Sequence, residues 1–202
     1  MILKELVLTA LLQFAPPEKQ DINPWKDDSR EASLVRYDGI ADAIVAVCGA
    51  QPKEGPPPDA TNAEIRCASM LSAIAIGESG LARDADQGPC YAKGDHKSRC
   101  DGGLAASVWQ VHSYTVWDKE GKNPKKVTVK ELFADRTLAA KRAHFAAMSS
   151  ISRCKDLPRE DILSALSGKC QVGLKSARAR YKLWNSMQGW MNLKNAPPAA
   201  KN

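Results

Sequence analysis

Long apolar stretches are what this sequence lacks most clearly: no hydrophobic run approaches the roughly 20 residues that a membrane-spanning helix needs. Internal repeats and extended low-complexity tracts are missing too, which sets aside solenoid arrays and wholly disordered chains. What remains is 202 residues, 44% hydrophobic and 26% charged. That is the mix of a globular chain long enough to bury a core. One domain is the simplest organisation, with a lead-in over 1–30, a body over 31–192 and a frayed tail over 193–202.

The formal net charge of +6 favours anionic polymers as partners, among them nucleic acid, lipid surfaces and bacterial wall material, without choosing between them. Six cysteines fall into three pairs local in sequence, and the bridges expected are Cys48–Cys67, Cys90–Cys100 and Cys154–Cys170. Buried free thiols are the competing reading. Bridges would point to an oxidising compartment or an extracellular particle. Residues 1–15 resemble a short secretory signal, with Lys4 ahead of an apolar stretch from Leu6 to Leu12. Glu5, Gln13 and the pair Pro16-Pro17 argue instead for an uncleaved segment, and hence for export by packaging in a phage particle or by release on lysis.

Helical spacing begins near Ser33, where Leu34, Tyr37, Ile40, Ala41, Ile44, Val45 and Cys48 recur before Gly49 ends the run. Prolines at 52, 56, 57 and 58 then demand a loop. A second helix starts at a Thr61 or Asn62 cap and runs to Gly77. Ile65, Ala68, Met70, Leu71, Ile74 and Ala75 cover most of its circumference, so it is expected as the buried central helix. Residues 80–103 read as loop, residues 104–112 as apolar, and residues 125–129 as a turn; further helices are expected at about 128–149, 159–167 and 173–190. The fold class is therefore mainly α.

The chemistry concentrates where the central helix stops, in Ile76-Gly77-Glu78-Ser79-Gly80. A carboxyl group closing an almost wholly apolar helix lies where burial raises its pKa, the state a general acid needs. Gly77 and Gly80 let the backbone turn and a polymer approach closely. An ordinary solvated glutamate at a helix end is the bland alternative.

That segment, followed by Gly103-Leu104-Ala105-Ala106-Ser107-Val108-Trp109-Gln110-Val111, resembles the two central motifs of the lytic transglycosylase and goose-type lysozyme superfamily. The likeness spans about 33–187 and is strong over 68–112. It implies a lysozyme-like helical domain, to which the loop over 80–103 adds a long region expected to be pinned by Cys90–Cys100. It also implies cleavage of the β-1,4 bond between MurNAc and GlcNAc in peptidoglycan, and no cofactor. Glu78 is then the acid and base, Ser79 helps to orient it, and Gln110 hydrogen-bonds near the sugar. The partners implied are peptidoglycan glycan strands and, for a particle-borne enzyme, other virion proteins; the location implied is the periplasm, the cell wall or a phage virion.

The family's third motif is only partly present in Leu163-Ser164-Ala165-Leu166-Ser167-Gly168-Lys169-Cys170, which lacks its tyrosine; Tyr181 is the candidate replacement. Trp109, Tyr91, Tyr114 and Trp117 are candidate sugar platforms, each equally readable as core, and His112 either lines the cleft or caps a turn. The resemblance implies a transglycosylase, in which one glutamate suffices and a 1,6-anhydro product forms. A hydrolase would need a second carboxylate from Asp84, Asp86, Asp95 or Asp101. Three rivals complete the field. One is a zinc module built on Cys90, His96, Cys100 and His112, whose spacing fits no common finger. Another is a nucleic-acid binder using the basic helix Lys175, Arg178, Arg180 and Lys182. The last is a wall-binding or scaffolding relative without catalysis.

Overall fold

The computed structural model describes residues 1–19, 29–49, 59–88, 100–101, 104–117 and 124–196. These residues are mainly helical, in the order α1 (Leu3–Phe14), α2 (Arg30–Cys48), α3 (Asn62–Ser79), α4 (Arg83–Gln87), four short strands, α5 (Val129–Ala134), α6 (Arg136–Arg153) and α7 (Lys175–Asn195).

Helix α3 is the axis of the fold, as its all-round apolar character predicts. It opens on a capping box: Thr61 Oγ accepts from the Glu64 N–H at 3.3 Å, and Glu64 Oε2 accepts from the Thr61 N–H at 2.7 Å. It closes at Gly80, whose left-handed φ of 61° turns the chain away. Between those ends Ile65, Ala68, Met70, Leu71, Ala73, Ile74 and Ala75 are all buried, with α1, α2, α6 and α7 packed against the helix.

Residues 3–14, read from the sequence as lead-in, form α1 and enter this core through Leu3, Leu6, Val7, Ala10 and Leu11. Two polar ties fix α1 to α2. Lys4 Nζ pairs with Asp38 and Asp42 at 3.0 and 2.8 Å, and the buried Tyr37 hydroxyl donates to the Ala15 carbonyl at 2.7 Å. The apolar stretch from Leu6 to Leu12 supplies most of the buried stripe of α1.

Strand β1 (Ala105–Ala106) pairs antiparallel with β2 (Val111–His112), and β3 (Tyr114–Trp117) with β4 (Pro124–Val127). The turn expected at 125–129 is therefore a strand edge for most of its length. Its positions 124–126 are exposed and only Val127 is buried, so no alternation marks it in the sequence. The helix expected at 128–149 divides at Asp135, an extended residue (φ −131°, ψ 97°) whose side chain accepts from the Leu138 N–H and caps α6. In place of a helix at 159–167 stand two 3-10 turns, Arg159–Asp161 and Ser164–Ser167. Ser150 holds them by donating to the Ile162 carbonyl at 2.8 Å and accepting from the Ala165 N–H at 3.1 Å.

Two expected bridges are present. Cys48–Cys67 ties α2 to α3, and Cys154–Cys170 closes the 3-10 segment between α6 and α7. Cys100 is also disulfide-bonded, whereas Cys90 lies outside the described residues, so the pinned loop expected there is not described. No helix among the described residues is long and apolar enough to cross a membrane.

Candidate active site

The C-terminal turn of α3 forms one wall of an open cavity of about 860 Å³, faced by the β1–β2 hairpin, by α6 and by α7. A volume of that size accommodates a few sugar rings. Glu78 stands on this wall with its side chain 22% exposed. Burial pushes its carboxyl group above the ordinary glutamate range, and the attraction and hydrogen bond of Arg180 oppose that shift without cancelling it.

Arg180 is the residue that sequence reasoning missed in this role. Its Nη2 lies 2.6 Å from Glu78 Oε1, and its Nη1 donates to Ser167 Oγ at 3.3 Å. The side chain is only 9% exposed, and its Nε has no hydrogen-bond partner. Gly77 makes the approach possible: a Cβ there would come within 3.2 Å of Arg180 Cγ. The proposed substitute for the family tyrosine, Tyr181, does something else. It packs edge-on against Trp184 at 5.8 Å and lies outside the cavity, because one residue along a helix turns a side chain by about 100°. The signal for Arg180 was its place in a basic helix, but nothing local connects it to a glutamate about a hundred residues earlier.

The turn after Glu78 is held from three directions. Ser79 Oγ donates to the Ala75 carbonyl at 3.0 Å and accepts from the Leu81 N–H at 3.1 Å, and Arg36 Nη1 donates to the Leu81 carbonyl. Leu81 is a buried non-glycine residue at φ 58°, a conformation that persists only when its surroundings enforce it. Ser79 thus positions Glu78 through the backbone rather than by a bond to its carboxylate.

Of the other expected residues, Gln110 and His112 line the cavity. Gln110 sits at φ 48° with Nε2 donating to the Ser107 carbonyl at 2.9 Å. That leaves its side-chain oxygen as the group that can meet a ligand. His112 Nε2 lies 3.3 Å from Asp101 Oδ2, both exposed. Trp109 reaches the cavity but is 3% exposed, with Nε1 donating to the Leu71 carbonyl at 3.0 Å; it wedges the hairpin against α3 and offers no open face for stacking. Tyr114 lies against Arg142 at 4.5 Å. Tyr91 falls outside the described residues.

The aspartates separate by environment. Asp86 is fully buried in a two-pronged pair with Arg136, and Asp84 is buried with Oδ1 accepting from the Ala85 N–H at 3.0 Å. Asp101 alone among the described three lines the cavity, and Asp95 lies outside the described residues. A zinc site on Cys100 and His112 does not fit, because that thiol is already in a disulfide. The basic helix is likewise committed internally at two of its four positions. Arg178 clasps the buried Asp161 with bonds of 3.0 Å from both Nε and Nη2, and Arg180 holds Glu78.

No protein family, curated protein or solved structure matches the chain, so the meaning of this site rests on its geometry.

Proposed function

We propose that the chain cleaves the glycan strands of peptidoglycan at the β-1,4 bond between MurNAc and GlcNAc, on a lysozyme-like helical domain, with Glu78 as the proton-transferring group. One observation carries this reading: a half-buried carboxyl group with a raised pKa stands on the wall of a cavity large enough for several sugars. The resemblance of the segments 76–80 and 103–111 to lytic transglycosylases supports it.

In the proposed reaction neutral Glu78 gives its proton to the glycosidic oxygen as the bond to C1 breaks. The substrate's N-acetyl group assists departure. The carboxylate then takes the proton from the muramyl 6-hydroxyl, which attacks C1 and closes a 1,6-anhydro ring, so no water is consumed. Burial favours the protonated form of Glu78, and Arg180 stabilises the carboxylate left behind. Gln110 and the exposed Asp101–His112 pair lie across the cavity as hydrogen-bonding groups for the sugars. The disulfides fit a working place outside the cytoplasm, in the periplasm or cell wall or on a phage virion, where other virion proteins would be partners.

Mass spectrometry of digested peptidoglycan is expected to show anhydro-ended muropeptides. Asp101 on the cavity wall favours the one competing reading, a lysozyme that activates water, and reducing ends throughout would select it.

Arg180→Met supplies a second expectation. A general acid works while protonated, so activity falls as pH rises through the pKa of Glu78. Removing the neighbouring cation favours the neutral carboxyl group, so the alkaline limb of the rate profile moves to higher pH. Clearance of purified walls across a pH series measures this, and a limb that stays put or moves to lower pH contradicts the assigned role.

A further inference from the structure

Five charged or titratable side chains line the cavity among the described residues: Glu78, Asp101, His112, Arg142 and Arg180. Four are matched, Arg180 with Glu78 at 2.6 Å and His112 with Asp101 at 3.3 Å. Arg142 is the exception. Among the described residues no carboxylate lies within ion-pair distance of it, and its guanidinium sits 4.5 Å from the ring centre of Tyr114 and 5.4 Å from that of Phe145.

This arrangement differs from a charge merely left in solvent. Contacts with aromatic rings steady a guanidinium without using its N–H groups, and those remain available as a planar fork that matches a carboxylate in two-pronged fashion. One of the rings belongs to Phe145, a large apolar side chain left 63% exposed beside the cavity. Ala143 and Ala146 line the same wall from the same helix, so no bulky side chain at those positions crowds the head of Arg142.

We propose that Arg142 is the recognition site for a carboxylate carried by the substrate, so that the cavity prefers a glycan bearing acidic substituents over a neutral chitin-type chain. The proposal rests on the glycosidase reading, because it takes the ligand to be peptidoglycan. In that polymer GlcNAc is uncharged; carboxylates sit on the peptide stem, or on the lactyl group of muramic acid where the stem has been removed. Both present the same fork-accepting chemistry.

The test is calorimetric binding in a Glu78→Gln background, which removes turnover, with and without Arg142→Gln. Three probes are used: glycan fragments carrying peptide stems, stem-free fragments with free lactyl groups, and neutral chitin oligosaccharides. Arg142→Gln is expected to weaken binding of carboxylate-bearing fragments roughly ten-fold, the scale of one charge-assisted contact, and to leave the neutral oligosaccharide unchanged. A loss confined to stem-bearing fragments places the carboxylate on the peptide, a loss confined to stem-free fragments places it on the lactyl group, and a loss with both shows that Arg142 accepts either. Unchanged affinity for all three, or an equal loss on the neutral chain, overturns the site. If the carboxylate-dependent binding holds but the wild type fails to cleave peptidoglycan, the glycosidase reading falls and the site stands. A parent protein that binds none of the three overturns both.

Discussion

Glu78→Gln is expected to slow wall clearance by about 10²–10⁴-fold, the contribution that a positioned acid and base makes to a proton-transfer step. The substitution preserves shape and removes only the proton chemistry. Its amide oxygen can still accept from Arg180, which now stands 2.6 Å from Glu78 Oε1, so that the buried guanidinium keeps a partner. The turn beyond it is set by Ser79, Gly80 and Arg36, none of which bonds to the Glu78 carboxylate, so the fold is expected to survive. Loss of clearance with an unchanged unfolding midpoint supports the assignment. Full clearance by the variant would leave Glu78 without a catalytic role, and a parent inactive on walls would leave the chain as a binding or scaffolding protein.

Arg136→Ala is expected to cost about 3 kcal/mol of stability, because it strands a fully buried carboxylate without its partner. Asp86 has no exposed side-chain surface, and Arg136 holds it with Nε at 2.9 Å from Oδ1 and Nη2 at 2.6 Å from Oδ2. The pair joins α4, which directly follows the turn after Glu78, to the first turn of α6. Gly39 on α2 leaves room for it, since a Cβ there would lie 2.8 Å from Arg136 Nη1. For a chain of this size the loss corresponds to a drop in Tm of roughly 6–12 °C, measurable by thermal or denaturant unfolding. A change within about 0.5 kcal/mol, the size of an ordinary surface substitution, would show that the pair contributes nothing.

Sequence patterning reveals the helices whose signals are local. Helix α3 is legible from its cap at Thr61, its apolar circumference and its glycine stop, and Glu78 follows from its place at that stop. Helix α2 is legible from its spacing and from Gly49. Patterning fails where an element is defined by a distant partner. Strand β4 has three exposed residues in four and exists through pairing with β3. The 3-10 turns at 159–167 follow from Ser150 and from Asp161, which Arg178 clasps from another helix. Within the site the same division holds. Glu78, Gln110 and His112 belong to compact motifs and reach the cavity, whereas Arg180 and Arg142 carry no motif and are brought there by α7 and α6. Tyr181 packs against Trp184 while Arg180, one residue earlier, meets Glu78, because helix rotation decides which side chain faces α3.

Helix α3 ends at the cavity, and the carbonyl groups of its last turn give that end a partial negative charge of about half an electron. In the proposed reaction the anomeric carbon becomes positive as the bond to the leaving sugar breaks. An electronegative helix terminus beside that carbon lowers the energy of such a cation, and it also discourages a lingering carboxylate at position 78. The backbone of the central helix thereby supplies the proposed reaction with a fixed field that no side-chain substitution at the site can remove.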